Sequence, residues 1–384
     1  MSPTIVVAAY NRPASLRRLL TSLANAYYPQ EVRLVISLDY SGSTACSDVA
    51  EKFDWRAGEK RIIKHSQNLG LRKHILSCGD LSREYGSIIL LEDDGYVAPR
   101  FWEYAKAALE FYAGHDYVAG VALYSHSINQ AAHLPFSPIH DGSDVFFLQR
   151  ACSWGQAWTA HQWAQFRAWY DANTGPVTID DGVPAYVARW PDRSWLKYFI
   201  KYLIVHDRYF VYPRGSLSTN FGDAGSNMGH SSHFQVHLTT LRHHPRFRHI
   251  DEVDAVYDCW CELKPEIVKR LNPAFHAFDF TTDLYGTKSA EEIHTPYMLT
   301  SHPCTNPTMT YGLALRPIDA NVVLGLPGRD LALTRTEDVR RDARAARKKL
   351  SLYYYPELAT RQLVRLTATR FLHGIRKRIR PPRV

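Results

Sequence analysis

Ile88-Ile89-Leu90-Leu91-Glu92-Asp93-Asp94 is the stretch from which the rest of the chain is read. Four large apolar residues in a row, with no polar alternation, read as a strand buried on both faces, over residues 87–91. Such strands belong to parallel sheets covered by helices. This one ends abruptly in three acids. Carboxylates placed side by side repel unless a cation neutralises them, and Mg2+ or Mn2+ prefers oxygen ligands. An ion held that way can bridge a diphosphate and stabilise charge on a leaving group. The acids also suit the entry to a helix that begins near Pro99, because a helix dipole favours negative charge there. From the triplet alone both readings stand.

The segments around it alternate strand and helix. Residues 4–9, 33–38 and 61–64 read as strands, and 13–25, 73–85 and 99–112 as helices, the first opening on Pro13. This order predicts an α/β fold with a Rossmann-like, mostly parallel sheet, whose ligands sit beyond the carboxyl ends of the strands. At those ends stand Ala9-Tyr10-Asn11-Arg12-Pro13 and Asp39. Tyr10 is placed to stack on a base and Arg12 to meet phosphate, or the segment is only a helix entry turn. Asp39 can accept from a base or a ribose hydroxyl, or form an Asx turn before Ser41-Gly42. Further on, residues 117–123, 144–148 and 209–212 read as strands, 159–170 and 194–205 as helices, and 215–229 as a Gly/Ser/Asn-rich loop.

The 384 residues are 45% hydrophobic, enough for one large domain with an additional segment. Neither a secretory leader nor an apolar run of the roughly 20 residues that cross a bilayer is read in the sequence. The six scattered cysteines make no disulfide framework, and Cys259-x-Cys261 lacks zinc spacing, so a cytoplasmic protein is expected. The net charge of +8 is carried by the end of the chain: residues 335–384 hold 15 Lys/Arg against 4 Asp/Glu, or +11, and the other 334 residues sum to −3. That tail interleaves Leu350, Leu352, Tyr353, Tyr354, Leu363, Leu366, Phe371, Leu372 and Ile375 with Arg361, Arg365, Arg370, Arg376 and Lys377. A basic amphipathic helical extension of this kind fits an anionic membrane surface, here the inner face of the cell membrane. Its alternative is a helix packed on the catalytic body. No motif supports nucleic-acid binding.

Taken together, Ile5-Val6-Val7-Ala8-Ala9-Tyr10-Asn11-Arg12-Pro13, Ser37-Leu38-Asp39 and Glu92-Asp93-Asp94-Gly95-Tyr96-Val97-Ala98-Pro99 resemble the nucleotide-sugar half of GT-A glycosyltransferases. The acid triplet and Leu71-Arg72-Lys73-His74 are similar to the N-acetylglucosaminyltransferase I type. Cys152-Ser153-Trp154-Gly155-Gln156-Ala157-Trp158 is similar to strings in bacterial capsule and lipopolysaccharide transferases. The resemblance divides the chain into a nucleotide-sugar half (1–115), an acceptor-side half with extension (116–334) and the tail (335–384). It implies that Ala9, Tyr10, Arg12, Asp39, His74, Glu92 and Asp93 surround the donor, with Asp94 as direct ligand of Mn2+ or Mg2+.

Inverting transfer needs a carboxylate to take the acceptor's proton. In the resembled enzymes that Asp lies in a Trp-Asp-Asp-Trp string. Here the region reads Trp190-Pro191-Asp192-Arg193-Ser194-Trp195, without paired acids. Asp192 is therefore the candidate base or else a helix N-cap, with Asp180, Asp181 and Asp223 behind it. The loop from Asn220 to His230 offers backbone N–H groups for phosphates, and His230 or His233 a late metal ligand. His230, His233 and His237 also fall at helical spacing, as on a solvated face.

The expected function is transfer of a sugar from a UDP-linked donor to a glycan or lipid-linked glycan in surface polysaccharide synthesis. A sugar nucleotidyltransferase is the second enzyme reading, although Ala9-Tyr10-Asn11-Arg12-Pro13 is not its Gly-rich basic loop. An inactive nucleotide-sugar or glycan-binding protein tethered to a membrane assembly is the non-enzymatic one.

Overall fold

The computed structural model describes residues 2–223, 234–240, 245–356 and 360–379. Strands β1 (Thr4–Ala9), β2 (Leu34–Leu38) and β4 (Ser87–Glu92) are buried throughout, except at the Glu92 end. Strand β3 (Lys60–Lys64) carries Lys60, Arg61 and Lys64 and takes the sheet edge, where charge discourages further pairing. Helix α1 (Pro13–Ala24) buries Leu16, Leu19, Leu20 and Leu23 against the sheet. Helix α2 (Ala45–Lys52) was not read in the sequence, and the helix expected over 73–85 comes as α3 (Gly70–Asp80) and α4 (Ser82–Tyr85).

After the short β5 (Gly95–Val97) come α5 (Phe101–Tyr112), β6 (Val118–Ala122), the small hairpin β7 (Ile128–Asn129) and β8 (Leu134–Pro135), and β9 (Val145–Leu148). They are followed by β10 (Gln156–Thr159), α6 (Ala160–Ala172), α7 (Ala185–Ala188), α8 (Leu196–Val205), β11 (Tyr209–Pro213), β12 (Ser218–Asn220) and β13 (Val256–Tyr257). The central sheet runs β13-β9-β11-β6-β10-β4-β1-β2-β3. It is mostly parallel, interrupted where β10 lies antiparallel between β4 and β6 and where β9 meets β11. The chain moves outward from β1 through β2 to β3, then returns to the other side of β1 as β4. That reversal is the switch point at which ligands of such sheets bind.

Register puts three candidate positions in one row. Ala8 pairs with Glu92 and Ala9 with Leu38, so Tyr10, Asp39 and Asp93 each follow directly. Asp93 N–H donates to the Ala8 carbonyl (3.1 Å) and Asp39 N–H to that of Ala9 (2.9 Å).

Helices α9 (Pro265–Leu271) and α10 (Ile318–Val323) accompany a second sheet of β14 (Phe280–Asp283), β15 (Tyr297–Thr300), β16 (Met309–Tyr311) and β17 (Leu331–Arg335), in the order β14-β15-β17-β16. Helix α11 (Ala343–Tyr354) buries Ala346, Leu350 and Tyr353. Lys349 Nζ donates to the Ser301 carbonyl (3.0 Å), and the Arg316 guanidinium to the carbonyls of Tyr353 and Tyr354. Leu350 and Tyr353, read in the sequence as part of a membrane-facing tail, thus belong to the core. Their burial is the packed-helix alternative, realised for α11. Helix α12 (Thr360–Ile379) differs: its side chains from 361 to 372 are all exposed.

Candidate functional site

Arg12 stands at the N-cap of α1 and turns its side chain across to β4. Its Nη1 donates to Asp94 Oδ2 (2.9 Å) and its Nη2 to Asp93 Oδ1, while Tyr10 N–H points at Asp93 Oδ2 (3.5 Å). The side chain of Asp93 is 4% exposed, against 20% for Arg12 and for Asp94. Burial pushes the Asp93 carboxyl up to about 6 despite Arg12. Burial, then Asp94, also holds the Glu92 carboxyl well above the usual range. One guanidinium therefore faces three acids, and the surplus negative potential favours an added cation.

Among the described residues no three His, Cys, Asp or Glu side chains cluster as a complete protein-only metal site. A diphosphate-bridging Mg2+ or Mn2+ needs only one or two carboxylates, the phosphates supplying the rest. A second observation favours oxygen chemistry here. Strand β12 pairs antiparallel with β5, setting Asn220 opposite Gly95, and Phe221 N–H donates to the Asp94 carbonyl (3.1 Å). Asn220 is buried, and among the described residues neither its side-chain oxygen nor its nitrogen has a hydrogen-bond partner. Asp94, with Asp93 beside it and this orphaned amide nearby, fits a hard cation.

Asp39 accepts Tyr40 N–H (2.9 Å) and Leu69 N–H (2.8 Å) on Oδ1, and Gly70 N–H (3.0 Å) on Oδ2. It ties the end of β2 to the start of α3. A carboxylate has about four acceptor sites, so one remains for a ligand. One turn into α3, buried His74 shares a hydrogen bond with Ser37 Oγ (2.9 Å), which also contacts His65 Nε2 (3.3 Å). Burial holds the His74 imidazole below its usual range, partly opposed by Asp39. At neutral pH it is uncharged, suited to a hydrogen bond with a base edge. Asp39→Ala would leave the N–H groups of Leu69 and Gly70 without an acceptor and cost about 1–3 kcal/mol. Chemical denaturation should show that loss together with weaker nucleotide binding; unchanged stability would contradict the tie.

The segment after β12 folds back over α1. Asp223 accepts from Ser15 Oγ (2.6 Å) and from Arg18, whose guanidinium lies 3.7 Å from the Phe221 ring centre. Gly155 (φ +106°) lets the Trp154–Gln156 turn approach: a Cβ there would come within 2.8 Å of Ser218 Oγ. Asn220, and Gln156, whose buried Oε1 also lacks a partner among the described residues, were not among the candidates read from the sequence. Asn220 lay within the quoted loop, but its glycines drew the reading.

Asp192 lies just before α8, its side chain 83% exposed, accepting from the nearly buried Lys197 (2.9 Å). The Lys197 hydrogen bond holds its carboxyl below the usual range. It is not the cap of α8: Trp195 occupies the N-cap and makes no side-chain capping bond. Asp181 is ion-paired with Lys201 (2.7 Å), and Asp180 is exposed in the same turn. His230 and His233 lie outside the described residues. His237 sits beside the Ser216–Leu238 bridge in a non-helical segment, so helical spacing does not describe it.

Residues 4–154 match the family model described as Glycosyl transferase family 2. No curated protein sequence matches the chain. Among solved structures, S. aureus TarS 1-349 in complex with UDP-GlcNAc is similar at 13% identity and a TM-score of 0.38, over 59% of this chain and 60% of that one. Another TarS structure overlaps at 14% identity and a TM-score of 0.34, over 57% of this chain and 36% of its own. The mannosyltransferase PcManGT from Pyrobaculum calidifontis, in complex with GDP-Man and Mn2+, overlaps at 10% identity and a TM-score of 0.37, over 59% and 58%. The chain thus spans less than two thirds of these proteins, and none of the overlaps is close enough to place a residue. The strand ends that carry Arg12, Asp39, Asp93 and Asp94 all lie within residues 4–154, the segment that is similar to glycosyl transferase family 2.

Proposed function

We propose that the enzyme moves a sugar, with inversion, from a UDP-linked donor to a glycan or lipid-linked glycan in surface polysaccharide synthesis. The convergence of Arg12, Asp93 and Asp94 at the β1/β4 switch point carries this reading. Ala9, Tyr10, Asp39 and His74 border the nucleotide, with Glu92 and Asp93 toward the donor sugar. Asp94 would hold a divalent ion, with His230 as the second ligand proposed from the sequence. Such an ion would supply charge neutralisation for a diphosphate leaving group. Arg12 orients the two aspartates, and neutral His74 orients the base. Asp192 is assigned as proton acceptor: Lys197 keeps it ionised and oriented, and no helix end claims it.

Incubating the protein with a panel of nucleotide sugars and Mn2+ should release nucleoside diphosphate from one donor by slow hydrolysis. Saturable donor binding without released diphosphate would replace this reading with the inactive-binder alternative.

Helix α12 is proposed to lie on an anionic membrane. Leu363, Val364, Leu366, Phe371 and Leu372 are 44–69% exposed beside Arg361, Arg365 and Arg370. Among the described residues, no helix is long and apolar enough to cross a bilayer. Deleting residues 357–384, which spares the packed α11, should abolish sedimentation with phosphatidylserine vesicles. Raised salt should weaken that binding in the full chain. Undiminished sedimentation of the truncated protein would remove the assignment.

A further inference from the structure

Arg150 is 4% exposed, and its guanidinium donates to the Tyr186 hydroxyl and to Gln130 Oε1. Both partners are neutral, and among the described residues no carboxylate pairs with it. A buried cation without a counter-charge is costly. The acids nearby are otherwise engaged: Asp258 accepts from Lys288 (2.6 Å), and Glu262 from Tyr285 N–H (2.7 Å).

In front of Tyr186 opens a cavity of about 270 Å³. Tyr186 and Arg189 on one side, Trp260, Tyr285 and Thr287 on another, and Arg347 of α11 contribute to its lining. Arg189 and Arg347 are exposed and in no ion pair among the described residues. Burial pushes the Tyr186 hydroxyl up to about 12, so it keeps its proton. It accepts from Arg150 and can donate into the cavity. Aromatic side chains give a sugar ring an apolar surface while their polar ends stay available for hydrogen bonds. The cavity does not include Asp93 or Asp94.

We propose that this cavity is an acceptor subsite for an anionic sugar unit, one bearing a carboxylate or a phosphate, held by Tyr186, Arg189 and Arg347, with the buried Arg150 behind Tyr186. The assignment to the acceptor rests on the glycosyl-transfer reading, whereas the anion site itself does not.

The test titrates the full chain with methyl glucuronide, glycerol 3-phosphate and methyl glucoside, following tryptophan fluorescence and heat. At least one anion should bind, at least about tenfold tighter than the neutral glucoside, since charge-assisted hydrogen bonds are the stronger ones. Which anion binds tells carboxylate from phosphate. Arg189→Gln combined with Arg347→Gln, both on the exposed rim, should weaken anion binding about tenfold or more without moving the melting curve. Tyr186→Phe should weaken it as well. Equal binding of the neutral glucoside, no anion binding up to millimolar concentration, or unchanged affinity in the double variant would overturn the proposal. UDP titrated with Mn2+ into the same wild-type protein keeps the two readings apart. Anion binding without UDP binding sinks the nucleotide-sugar site alone, and UDP binding without anion binding sinks this cavity alone.

Discussion

Asp94→Asn is expected to lower sugar transfer by at least about 10³-fold while the protein still folds. A divalent ion contributes several kcal/mol to a transition state in which a diphosphate leaves, and about 4 kcal/mol corresponds to that factor. Asparagine keeps the shape, and its oxygen can still accept from Arg12, so positions around β4 should change little. The negative charge that binds the ion is lost. Asp94 is at a strand end with a partly exposed side chain, outside the apolar core. Single-turnover transfer across a Mn2+ titration, paired with a melting curve, is the decisive measurement. Transfer by the variant within tenfold of wild type, or full wild-type activity in excess chelator, would remove the metal from the mechanism.

Asp192→Asn should reduce transfer by roughly 10²–10⁴-fold, the usual contribution of a positioned acid or base, with donor affinity nearly unchanged. The donor groups stand at the ends of β1, β2 and β4, away from the start of α8. Stability should hold, because asparagine can still accept from Lys197 and no helix cap is lost. Loss of transfer with an intact melting curve and normal UDP binding would identify the base. Near-normal single-turnover transfer at saturating donor and acceptor would pass the role to another acid, with Asp181 and Asp223 both already ion-paired in the fold.

Much of the sheet over residues 4–92 was legible because its strands are short runs of Ile, Val and Leu, mostly buried on both faces, and the acids end one of them. The closeness of Arg12 to Asp93, 81 residues on, was not legible in detail. It depends on the parallel register of β1 with β4, which periodicity does not specify. Strand β10 escaped because Gln156-Ala157-Trp158-Thr159 is four residues long and has no alternation of its own. The second sheet escaped for a different reason: its strands carry buried Thr282, Asp283, Thr300 and Thr334, so they do not read as apolar. Asp39 announced itself as a strand-end acid, but its bonds to Leu69 and Gly70 come from a loop 30 residues away. Leu350 and Tyr353 misled because an amphipathic helix has the same pattern whether its apolar face meets protein or lipid.

The packing of α11 has a consequence of scale. Arg347 borders the cavity, α11 ends at Tyr354, and α12 starts at Thr360. Six residue steps extend the chain by about 20 Å at most. A bilayer gripping α12 would therefore work as a short leash on the end of α11, allowing the catalytic body to swivel but not to stand off.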